Sequence, residues 1–202
     1  MLQVAEETAR KILRLQTITL IWMAVEALIA LRAAWTAHSP ALLGFGGDSA
    51  VELLSAIVVF WRFFRNTAGD RRERRAAQIA GGLLFLLGGF VVLASLLALL
   101  GRVDPRPSLI GIALLILAAA IMPWLAREKR RLATVTASAA LRADATESAM
   151  CGYLALIALA GLALNAVWNI PWADPLAALA LLPLIVHEGW EAFEETRELP
   201  EE

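Results

Sequence analysis

The chain has one cysteine, Cys151, two histidines, and few charges, with Asp, Glu, Lys and Arg making up 18% of its 202 residues. A single thiol excludes an intrachain disulfide. No histidine cluster, nucleophile motif or phosphate-cradling glycine loop occurs, so the sequence offers no hydrolytic chemistry and an enzyme is not expected. No cleavable leader is expected either. The first 15 residues interleave Glu6, Glu7, Arg10, Lys11 and Arg14 with apolar positions and lack the short uninterrupted apolar core of a signal peptide. That segment, 1–15, is expected to lie as an amphipathic stretch on the cytoplasmic membrane surface.

What the chain has in excess is hydrophobicity: 59% of its residues are apolar, and the mean hydropathy is +0.66. The excess falls into runs of roughly 20 residues, the length that crosses about 30 Å of hydrocarbon as a helix. Six spans are predicted, over about 16–36, 41–64, 77–100, 108–126, 136–167 and 174–188, followed by a short acidic tail at 189–202. The fold expected is an all-α membrane protein of six transmembrane helices, in contact with the lipid bilayer. Basic runs at Arg65–Arg75 and Arg127–Arg131 mark cytoplasmic loops, which places both termini in the cytoplasm. The same orientation rule accounts for the arginines, so no nucleic-acid partner is called for. Glycine pairs at Gly81-Gly82 and Gly88-Gly89 suit close helix contact in lipid. Trp35, Trp124, Trp168, Trp172 and Trp190 fall near span ends as interface anchors, and His187 and Glu188 read as interface residues too. Asp174 and Pro175 suit the start of the sixth helix, as cap and first residue. The compactness of the chain suggests a bacterial inner membrane as its location.

Chemistry concentrates in Gly44-Phe45-Gly46-Gly47-Asp48-Ser49-Ala50-Val51-Glu52. The i, i+4 spacing of Asp48 and Glu52 places both carboxylates on one helix face, one turn apart. A near-echo, Glu147-Ser148-Ala149-Met150-Cys151, again presents donors at i and i+4, on a helix running the opposite way. An ionised carboxylate at mid-membrane costs roughly 2.5–3.5 kcal/mol even on the lenient insertion scale, so such acids face a cavity, a partner or an ion. Two acids on one face without a cation at comparable depth favour a cation site, against the plainer reading of a hydrogen-bonded pair that holds the bundle. Cys151 is either a small hydrophobe or a thiolate ligand suited to zinc or cadmium. Glu26, near the middle of the first span, is either a supporting or proton-carrying group or a structural hydrogen-bond partner. Asp144 either joins the Glu147 face or pairs with Arg142 or another loop cation. Ser49, Ser55 and Ser148 suit helix packing.

The stretches Ser39-Pro40-Ala41-Leu42-Leu43 before the Asp48 motif, Ala140-Leu141-Arg142-Ala143-Asp144-Ala145-Thr146-Glu147, and Trp172-Ala173-Asp174-Pro175-Leu176 together resemble the cation diffusion facilitator family over about Glu26 to Glu194. The likeness is closest to short forms with the transmembrane domain only. It implies a tetrahedral metal site built from two residues four apart on the second helix and two on the fifth, here Asp48, Glu52, Glu147 and Cys151. Family members usually carry Asp at the second position on the second helix, and His or Asp followed by Asp on the fifth. Each replacement in this chain can still bind metal. The resemblance implies export of a divalent metal, zinc or a similar ion, in exchange for protons. The metal would be a transported substrate, with no prosthetic group, and any homodimer would form through the membrane helices. The rival expectation is a scaffold or regulatory protein of the same fold that does not transport.

Overall fold

The computed structural model describes the backbone of residues 2–65 and 70–198, and the side chains of residues 10–54, 57, 78–138 and 141–194. Ser55, the basic run before Ala76, the acidic residues Glu6 and Glu7, and the last residues of the tail therefore lie outside the described side chains. Six helices follow one another: α1 (Leu2–Ala37), α2 (Pro40–Arg65), α3 (Asp70–Leu99), α4 (Leu109–Thr136), α5 (Ala139–Trp168) and α6 (Ala173–Glu198). Among the described residues five of them, all but α2, are long and apolar enough to cross a membrane. The molecule is thus an all-helical, multi-pass membrane protein.

Local chemistry sets the helix ends. His38 adopts a left-handed conformation, φ 52°, and turns the chain between α1 and α2. Ser39 caps α2, its hydroxyl accepting the Leu42 N–H at 3.1 Å, with Pro40 at the first helical position where a missing N–H costs nothing. Ser108 and Ser138 cap α4 and α5 in the same way. The connections α1–α2, α3–α4 and α5–α6 meet at one end of the bundle. There the Arg106 N–H donates to the Ala37 carbonyl at 2.8 Å, and the Asn165 amide donates to the Pro105 carbonyl at 3.0 Å.

Asp174 takes a role different from the expected one. It lies in the first turn of α6, yet its carboxylate accepts from the Ser39 hydroxyl at 2.5 Å and from the Ala41 N–H at 3.1 Å, so it caps α2 and not its own helix. The reason is geometric: both helices start at the same end, and the orphan N–H groups of α2 are the nearer donors. This contact fixes α2 and α6 side by side and parallel.

α2 meets α1, α3, α5 and α6, while α4 packs most extensively on α5, and α3 on α6. Small residues permit the crowding. A Cβ at Gly46 would stand 2.7 Å from the Ala30 Cβ and 3.0 Å from the Leu31 nitrogen, and one at Gly161 would collide with Ala177. Of the glycine pairs in α3, Gly81 lies against the Gly189 carbonyl and Phe193 of α6, whereas Gly82 and Gly89 face open space. Gly88 of the second pair faces Leu182 of α6, so helix contact uses one member of each pair, because successive residues are turned about 100° apart. Outward faces carry Leu28, Leu86, Phe90, Leu93, Leu109 and others, as does a surface in lipid. All five tryptophans assigned to interfaces are exposed.

Helices run on past the predicted spans. α1 begins at Leu2 and takes in the segment expected to lie apart from it, α4 continues through the basic run to Thr136, and α6 continues to Glu198. Charged residues end the hydrophobic span without ending the helix, since Arg, Lys and Glu are good helix formers.

Candidate metal centre

Asp48 is fully buried and Glu52 half-buried on α2, and Cys151 is buried on α5. One oxygen from each acid and the cysteine sulfur lie within 4.8 Å of one another. The Cys151 thiol donates to Glu52 Oε2 at 3.0 Å, a direct link between the two helices. In a tetrahedral zinc site, ligand atoms about 2.0–2.3 Å from the ion stand roughly 3.5 Å apart, so small side-chain adjustments close this group on one ion. Two carboxylates and a thiol form a mixed hard and soft donor set suited to a borderline divalent metal.

The placement rests on helical register. Along α1, the buried positions Leu15, Thr19, Met23, Glu26, Ala30 and Ala33 recur at intervals of three and four; Glu26 and Ala30 meet α2, while Leu15 and Met23 pack with Met122 and Leu125 of α4 and Cys151 of α5. The Oε1 of Glu26 accepts from the Ser49 hydroxyl at 2.9 Å, and its Oε2 is buried without a hydrogen-bond partner among the described residues. Around Cys151 lie Leu15, Met23, Met122 and Leu125, an apolar wall beside the donors.

Two residues named from the sequence stand apart from this group. Glu147, one turn before Cys151, is exposed, although it is close enough to Glu52 to interact with it electrostatically. Asp144 is engaged elsewhere: Lys129 Nζ donates to its Oδ1 at 2.7 Å and Gln16 Nε2 to its Oδ2 at 2.7 Å. The loop cation that pairs with Asp144 is Lys129 and not Arg142. Lys129 is fully buried and also donates to Ser148 at 2.8 Å. It continues the buried stripe Met122, Leu125, Ala126 of α4, a register visible once the helix is carried past Ala126.

Sequence reasoning missed Glu188. Both of its carboxylate oxygens are buried, and its carboxyl lies within hydrogen-bonding reach of the Asp48 carboxyl. The signal was present in the spacing, since Leu181, Ile185 and Glu188 follow at i, i+4 and i+7. Leu181 and Ile185 pack at Gly44, one turn before Asp48 on α2. The Glu188 oxygens therefore face the acids and not the membrane surface.

A lipid-facing helical bundle with buried carboxylates and a thiol gathered between its helices is the architecture of a membrane protein that handles cations. The profile of the cation efflux transmembrane domain matches residues 17–199, nearly the whole chain, and the protein belongs to that family of metal cation transporters. A comparison with curated proteins returns no match.

Proposed function

We propose that the protein exports a divalent metal cation, zinc or an ion of similar softness, through Asp48, Glu52 and Cys151, in exchange for protons. The observation that carries this reading is the convergence of three ligand atoms from two helices within 4.8 Å, in the middle of a bundle of membrane-crossing length. Six helices would cross the membrane, with both basic runs and both termini on the cytoplasmic side. Glu147, exposed one turn from Cys151, would meet the ion before it reaches the buried donors.

Proton coupling follows from ligand chemistry. A thiol or carboxylic acid must lose its proton to bind a metal, so the arriving ion displaces protons and a protonated site releases the ion. Alternating access needs only that the site open to one side in each of these two conditions. The experiment is zinc flux into proteoliposomes containing a metal-sensitive dye, driven by an imposed proton gradient. Saturable, gradient-dependent flux that is lost in Asp48→Ala supports the exporter. Folded protein that moves neither zinc, cadmium, manganese, cobalt nor iron above empty liposomes overturns it, in favour of a scaffold with the same fold.

A further inference from the structure

Asp48 is fully buried, and neither of its oxygens meets an N–H or O–H donor among the described residues. Glu188 stands against it with both of its own oxygens buried and equally without a donor. Buried polar atoms are satisfied in nearly all native structures, and each exception calls for a physical explanation. One shared proton would satisfy a single contact between the two carboxyls. It would leave the other oxygens without partners. Among the described residues no N–H or O–H donor reaches these oxygens, and the buried Lys129 ammonium is held by Asp144 and Ser148. A divalent cation is the species that several unpartnered carboxylate oxygens are built to receive.

We infer that Glu188 of α6 is a ligand of the transported ion, completing with Asp48, Glu52 and Cys151 a four-ligand set drawn from three helices. The inference rests on the metal-carrying reading above and extends it to a helix that the spacing of the two motifs does not touch. Glu188 stands outside the three residues whose donor atoms lie within 4.8 Å of one another and meets that group through Asp48, on the side of α2 where Leu181 and Ile185 pack at Gly44. Glu147 is exposed, whereas the Glu188 oxygens are buried. A buried fourth oxygen excludes water from the ion; an exposed one admits it. The ion then bridges α6 to α2 and α5, so that any movement opening the site must move α6 relative to α2 or release the ion.

The test uses the purified full chain in detergent, with zinc affinity measured by equilibrium dialysis and cobalt(II) as the optical probe. Loss of a group that only supports a ligand weakens metal binding by about 10–100-fold. Glu188→Gln, which keeps the shape of the side chain, is expected to weaken zinc binding beyond that range, while Glu128→Gln, at the exposed pair with Arg131 on α4, leaves it nearly unchanged. Glu188→His is expected to retain binding and shift the cobalt ligand-field bands, as nitrogen replaces oxygen on the metal. Should Glu188→Gln fail to elute as a folded species, the cobalt spectrum of Glu188→His decides alone. Native affinity in Glu188→Gln, or a native cobalt spectrum in Glu188→His, overturns the inference and leaves the three-ligand reading standing. If the unsubstituted chain binds neither zinc nor cobalt, both readings fall together.

Discussion

Lys129 of α4 and Asp144 of α5 form a 2.7 Å ion pair in which the lysine is fully buried and the aspartate is a quarter exposed. Gln16 of α1 also donates to Asp144, and Lys129 also donates to Ser148 of α5, so the Asp144 carboxylate ties α1, α4 and α5 together. Both oxygens of the acid at 144 are thereby engaged in contacts between helices.

Breaking that pair should be costly. Removing one partner of a buried ion pair destabilises by roughly 3–5 kcal/mol, because the other charge is left without compensation. Lys129→Met is expected near the lower end of that range, about 3 kcal/mol, since solvent reaches Asp144 in part. Adding Asp144→Leu should recover most of the loss. Thermal unfolding in detergent checks both, and additive losses in the double variant would contradict the pairing.

At the other end of the bundle, Asp174 holds the start of α2. Replacing an N-terminal cap costs about 0.5–2 kcal/mol. Asp174→Ala and Ser39→Ala should each fall in that range and, because they share one set of hydrogen bonds, combine to less than their sum. A double-mutant cycle on unfolding reads the coupling. A coupling of zero would mean that the two caps act independently.

Gly46 sets the distance between α1 and α2. Gly46→Ala places a methyl 2.7 Å from the Ala30 Cβ and 3.0 Å from the Leu31 nitrogen. Overpacking of this kind costs about 1–3 kcal/mol. Ala30→Gly should restore part of it, since the contact with the Leu31 backbone remains. An undiminished melting temperature in Gly46→Ala would show that the helices can part freely.

The thiol should govern metal preference. Cys151→Ser exchanges a soft donor for a hard one, so cadmium binding is expected to fall more than manganese binding. Isothermal titration with both metals measures the ratio, and an unchanged ratio would remove sulfur from the ligand set. For every metal, apparent affinity should drop as pH falls, because protons compete for the same oxygens and sulfur.

The sequence by itself determined the solvent the protein lives in, the helical class, and the motif that matters. Runs of apolar residues long enough to cross hydrocarbon, with most of their charge at the ends, admit few structures other than a helical bundle. The i, i+4 spacing of Asp48 and Glu52 put both on one face without knowledge of any neighbour, because helical period is a property of the local chain. Which neighbours that face meets is not local. Only the tertiary structure turned Asp174 to the N-terminus of α2, buried Lys129 against Asp144, set Glu147 in the open, and brought Glu188 to Asp48. Those four outcomes depend on how far each helix continues past its apolar span and on the register between helices. The register is set by close contacts, Gly44 on Leu181 and Gly46 on Ala30, between residues distant in sequence.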